Sequence, residues 1–176
     1  MTMLRADAQR NLGRVLEAAA EAFAEHGPDV SVDEIARRAG VGHATVFRRF
    51  PTKEALLLAV LSERLGEIAE LAREALAADD PGAAFTDFIW TVTEIHARDR
   101  GLYECIDRCV KQKEAQEVET LTRQIVVRAQ EAGALRDDVD PAGVLTLMGA
   151  AIRSAPAEQL HACVEIVLDG LRPRPT

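Results

Sequence analysis

The chain has 176 residues, 48% of them apolar and 4% aromatic, and its 21 Lys+Arg against 29 Asp+Glu leave a net charge of −8 at pH 7. That length holds one sizeable core or a small module joined to a larger one, and abundant Ala without period-two runs of β-branched residues favours helix throughout, with no convincing strand. The acidic balance argues against a nonspecific nucleic-acid coat protein. An odd cysteine count argues against a disulfide framework, and the lack of a signal-type run or a long charge-free apolar segment leads to the expectation of a soluble, cytoplasmic protein.

In chain order, Leu12, Val15, Leu16, Ala19, Ala22 and Phe23 recur at three- and four-residue steps and predict a first helix from about Asp7 to Glu25, stopped by Gly27 and Pro28. Ser31 and Glu34 are spaced as a capping box, so a second helix is expected over Val32 to Ala39. Gly40 ends it, Val41 plugs the corner, and a third helix runs from about Gly42 to Phe50. This is helix-turn-helix spacing. Thr52 is placed to cap a long fourth helix from Lys53 to about Ala77, and Asp80 with Pro81 opens a fifth that ends near the polar joint Arg98–Gly101.

A shorter helix is expected over Leu102 to Lys111, another over about Ala115 to Ala132, and two more over Pro141 to Ser154 and Ala157 to Leu171. The last two are apolar around more than half their circumference. Small residues among them (Gly149, Ala150, Ala151, Ala155) permit close approach, which predicts a homodimer interface; burial inside a monomer is the plainer alternative.

Charge is gathered in one place. Residues 1–53 hold eight Lys/Arg against seven Asp/Glu, and the remainder thirteen against twenty-two, so the two parts carry +1 and −9. Between Ile35 and Lys53 stand Arg37, Arg38, Arg48, Arg49 and Lys53 with no carboxylate. A cationic helix pair on an otherwise negative chain suits docking on a phosphate backbone, whose affinity comes from neutralised phosphates. Any one of these arginines alone would be read as a solvated helix face.

The stretch SVDEIARRAGVGHATVFRRFPTKEALLLAVL resembles the DNA-binding signature of the TetR family of bacterial transcriptional repressors, and the likeness spans about residues 10 to 62. GALRDDVDPAGVLTLMGAAIRS is more weakly similar to the entry into the eighth helix of many members, while residues 80 to 130 match only in helix lengths. The resemblance implies an all-α homodimer: an N-terminal three-helix DNA-binding domain with a helix-turn-helix (1–52), followed by a larger helical ligand-binding and dimerisation domain (53–176). It implies release from a double-stranded DNA operator when a small-molecule effector binds.

In the third helix Val46 and Phe50 lie one turn apart and should face inward, which leaves His43, Ala44, Thr45, Phe47, Arg48 and Arg49 to the DNA. The resemblance aligns Thr45 and Phe47 with backbone contacts, and His43, Arg48 and Arg49 with base-edge positions. Phe47 stands where the family usually has tyrosine, so a phosphate hydrogen bond is lost there. Gly42 stands where a Ser or Thr cap is common, and Lys53 offers its ammonium and a helix start to a phosphate.

Phe85, Phe88, Trp90, Tyr103 and Met148 are the candidate ligand wall, although each taken singly reads as core. His96, Cys105, Cys109 and His161 raise a metal reading, but no third ligand is fixed by spacing; neither a metal nor a cofactor is assigned. A thiol- or metal-responsive regulator on the same scaffold is the alternative function. A helical enzyme is more distant, since no nucleophile motif, phosphate loop or paired His-carboxylate pattern occurs.

Overall fold

The computed structural model of the chain describes residues 2–103 and 113–173, without the side chains of residues 2–9, 28, 101, 103 and 113. Among the described residues every regular element is helical: α1 (Thr2–His26), a 3-10 turn (Gly27–Asp29), α2 (Val32–Ala39), α3 (His43–Arg49), α4 (Lys53–Ala77), α5 (Pro81–Arg98), α6 (Arg100–Tyr103), α7 (Lys113–Glu131), α8 (Pro141–Ser154), a second 3-10 turn (Ala157–Gln159) and α9 (Leu160–Gly170). None of these helices is long and apolar enough to cross a membrane.

The helix starts follow from capping. Ser31 Oγ accepts from Glu34 N at 3.2 Å, Thr52 Oγ1 from Ala55 N at 3.1 Å, and Asp140 Oδ1 from Ala142 N at 2.7 Å. Asp80 Oδ1 accepts from both Gly82 N and Ala83 N. Each satisfies an amide that has no partner inside its helix. The expected boundaries of α2, α4 and α8 are met. α1 begins earlier than expected, and the stretch 157–171 is a 3-10 turn followed by a shorter α9. Of the helix expected over Leu102 to Lys111, α6 holds the first residues, and 104–112 lie outside the described residues.

The chain forms two compact units. The first is drawn from Met1–Arg64 and Asp99–Val110, the second from Leu65–Arg98 and Lys111–Thr176. In the first, Leu16, Ala19 and Phe23 of α1 close on Ile35 and Ala39 of α2, Val46 of α3, Leu56 and Val60 of α4, and Leu102 of α6. Asp99, expected in the polar joint after α5, is instead buried, with Oδ2 3.0 Å from Arg64 Nε.

The second unit packs Ile68 and Ala72 of α4, Phe85, Phe88 and Ile89 of α5, Val126 and Ala129 of α7, Val144 and Met148 of α8, and Leu160 and Val164 of α9. Arg128 of α7 closes the C-terminus of α4: its guanidinium donates to the carbonyls of Ala75, Leu76 (2.9 Å) and Ala78. Helix-end carbonyls lack intrahelical donors, so this one side chain does the work of a C-cap.

Candidate nucleic-acid interface

The α2–α3 corner is set by Gly40. It adopts φ 65°, ψ 35°, the left-handed region that costs a side chain but not glycine. Its N–H reaches Arg37 O at 3.2 Å, and Val41 N reaches Ala36 O at 3.0 Å. That pair of bonds is the Schellman closure, and Val41, half-buried against the first unit's core, supplies the apolar contact that accompanies it. Arg14 of α1 adds a bond to Gly40 O at 3.3 Å. α3 therefore leaves the corner in a fixed direction.

α3 then divides by face. Val46 is 1% exposed and Phe50, just past the helix, is also buried, so both anchor α3 on the core as their spacing predicts. His43, Ala44, Arg48 and Arg49 are exposed, Thr45 is half-buried, and Phe47 keeps 47% of its surface in solvent. No ion pair of Arg48 or Arg49 occurs among the described residues. Gly42 provides no side-chain cap to α3.

The other three cations of the window are engaged. Arg37 binds both Glu34 oxygens, at 2.9 and 2.7 Å, and Arg38 binds Glu34 at 2.9 Å and Glu25 at 2.8 Å. Glu34 stands one residue before the carboxylate-free window, so that window overstated the free charge. Its carboxylate also does not reach back to the Ser31 amide, as a complete capping box would require; it faces the two guanidiniums. Hydrogen bonds from Arg37 and then Arg38 hold the Glu34 carboxyl down to about 2. Both arginines are correspondingly raised, chiefly by the bond to Glu34.

Lys53, half-buried at the start of α4, donates to Val30 O at 3.2 Å. An ammonium has three protons, so this anchor leaves others for a phosphate. His43 meets the Asp33 carboxylate through Nδ1 and stacks on Phe47, with ring centroids 5.3 Å apart and 16° between planes. Sequence reasoning missed the Asp33 contact; its only signal was an acidic residue in the first turn of α2, which usually means helix-dipole compensation.

Of the candidate ligand wall, Phe85, Phe88 and Met148 belong to the core of the second unit, and Trp90 is half-buried against it. Trp90 stacks on His161, centroids 5.7 Å apart, and His161 Nε2 lies 2.6 Å from Glu94 Oε1. Tyr103 closes α6 in the first unit and its side chain is outside the described set, as are Cys105 and Cys109. His96 is buried. Among the described residues no three His, Cys, Asp or Glu side chains gather as a metal site.

Two family models match the chain: one described as bacterial regulatory proteins, tetR family, over residues 15–60, and one described as transcriptional regulator SbtR-like, C-terminal domain, over residues 80–173. The second covers the region where the sequence alone offered only helix lengths. A solved TetR transcription regulatory protein of Mycobacterium vanbaalenii is similar at 39% identity and TM-score 0.75, over 96% of this chain and 99% of that one. The regulator EthR of Mycobacterium tuberculosis is 29% identical over 160 residues, 85% of this chain and 68% of its own. An uncharacterised helix-turn-helix regulator of the same organism is 40% identical over 57 residues, so the match spans about a third of each chain, 32% of this one and 30% of the relative.

Proposed function

The chain belongs to the TetR family of bacterial transcriptional regulators, and on that premise we propose that it is a cytoplasmic repressor that binds a double-stranded operator as a homodimer and leaves it when a small molecule binds. Membership of this family places it among regulators rather than enzymes. One observation carries the DNA-binding part: α3 buries Val46 and turns outward a continuous face of His43, Ala44, Phe47, Arg48 and Arg49. Arginine at base edges suits guanine O6 and N7, while Thr45, Phe47 and Lys53 are assigned to sugar and phosphate.

The dimer is proposed through α8 and α9, where Leu147 is 50% and Ile166 70% exposed, with Ala150 and Ala162 exposed beside them. Two α3 helices in a two-fold dimer then meet successive major grooves about 34 to 36 Å apart. The effector is assigned to the second unit, with Phe85, Phe88, Trp90 and Met148 as its apolar wall. Coupling is carried by α4, one continuous helix whose residues contribute to both cores. An effector acts only by binding the released state more tightly, with typical coupling of about 1 to 3 kcal/mol.

The test is selection of bound fragments from genomic DNA with the purified protein, followed by titration of the recovered duplex at several salt concentrations. A discrete recovered sequence with two related half-sites is expected, bound with an affinity that falls steeply with salt. Recovery of no enriched sequence, with no retention of duplex even in dilute buffer, would overturn the reading.

A further inference from the structure

Asp33 lies in the first turn of α2 and His43 opens α3, and the fold brings the Asp33 carboxylate against Nδ1 of the His43 imidazole. On its second side the ring rests on Phe47, one turn along α3, nearly parallel to it. The imidazole is therefore gripped at one edge and over one face, yet His43 still keeps about half its side chain in solvent, at 48%. A carboxylate can only accept, so the proton of this contact sits on Nδ1. In the neutral ring that leaves Nε2 with a bare lone pair, because the bond made by one imidazole nitrogen sets the state of the other.

Resting on the reading of α3 as the DNA-contacting helix, we propose that Asp33 is a positioning residue for base readout: it fixes His43 in the tautomer whose Nε2 accepts a hydrogen bond from the exocyclic amino group of adenine or cytosine in the major groove. Those two amino groups are the donors that the groove displays, whereas guanine offers only acceptors there. A ring released from Asp33 can turn over or exchange tautomers, and so presents a donor as readily as an acceptor. Its ability to tell an amino group from guanine O6 or N7 is then lost. Phe47 without a hydroxyl fits this arrangement, since its ring serves as the floor on which the imidazole lies.

The experiment uses the full-length protein and the duplex recovered from genomic selection, with every single base-pair substitution of one half-site titrated against wild type, Asp33→Ala, Asp33→Asn and His43→Ala. The asparagine amide can accept from Nδ1–H through its oxygen or donate to a bare Nδ1 through its NH2, so it keeps a contact with the ring but no longer fixes the tautomer. Asp33→Ala and His43→Ala are expected to lose discrimination of about tenfold at the same base pair, one at which wild type requires adenine or cytosine on the contacted strand. Asp33→Asn should lose it as well, because an amide holds either tautomer, and all four proteins should share one salt slope.

Three results would sink the proposal: an Asp33→Ala profile that moves uniformly across sequences, full discrimination kept by Asp33→Asn, or a guanine requirement at the His43-dependent position. Thermal unfolding of each variant checks that the profile, rather than the fold, has changed. Wild type that ignores every duplex would instead remove the underlying reading, and this inference with it.

Discussion

At the residue scale, the charge that the helix pair leaves free for the proposed DNA contact is set by Glu34, because it takes up the guanidiniums of both Arg37 and Arg38. Its carboxyl is lowered from an ordinary 4.5 to about 2, so the folded state binds fewer protons here than the unfolded chain. A depressed carboxyl contributes stability that is fully present above pH 4.5 and is lost as pH falls towards 2. Thermal unfolding of Glu34→Gln should accordingly show a deficit at neutral pH that shrinks through that window and closes near pH 2; a constant deficit would mean the ion pairs contribute nothing. With Arg37 and Arg38 so occupied, the proposed base readout is assigned to Arg48 and Arg49. Arg49→Ala should relax preference at one base pair by about 1 to 3 kcal/mol, whereas Lys53→Ala should weaken all sequences alike and flatten the salt slope by about one. Identical binding profiles for these two variants would reverse the assigned roles.

At the element scale, the corner between α2 and α3 depends on one backbone conformation. A Cβ at Gly40 would meet nothing nearer than Arg14 Nη2 at 3.7 Å, so space is available and only the left-handed φ of 65° opposes a side chain. Gly40→Ala is expected to cost about 1 to 2 kcal/mol, read from chemical unfolding, with α3 intact; an unchanged midpoint would show that the corner relaxes without penalty. This corner was legible in the sequence, as were the starts at Ser31, Thr52, Asp80 and Asp140, because each signal acts within a turn of the residue that gives it. The inward side of α3 was legible for the same reason, through the spacing of Val46 and Phe50. Partner choice across the fold was not. Arg128 caps α4 from about fifty residues away, Asp99 finds Arg64 inside the first unit, and Asp33 finds His43 across the turn. Such pairings are fixed by which helices pack together, which no local pattern encodes. Asp99→Ala removes a buried carboxylate from beside the half-buried Arg64 guanidinium, and should destabilise the first unit by about 1 to 3 kcal/mol, read from chemical unfolding.

At the scale of the whole molecule, the proposed function requires two heads held at one spacing, and only an interface between copies can supply that. In the second unit α8 and α9 together leave Leu147 and Ile166 in solvent, on helices whose other faces bury Val144, Met148, Leu160 and Val164 in the core. In a two-fold dimer each of these residues appears twice, so a single charged substitution places two desolvated charges in the same contact. Ile166→Asp, with Leu147→Arg as an independent second variant, is therefore expected to sediment as a single copy. Helicity should be unchanged, since neither side chain is buried within its own chain. Wild type should show a midpoint of thermal unfolding that rises with protein concentration, because subunit binding is linked to folding, and the variants should lose that dependence. Each variant keeps an intact α3 and should still touch DNA, but without the second head the avidity of paired half-sites disappears, leaving weak binding that half-site spacing no longer affects. Sedimentation of both variants as dimers would place the interface elsewhere and remove the basis for assigning the exposed face of α8 and α9 to a second copy.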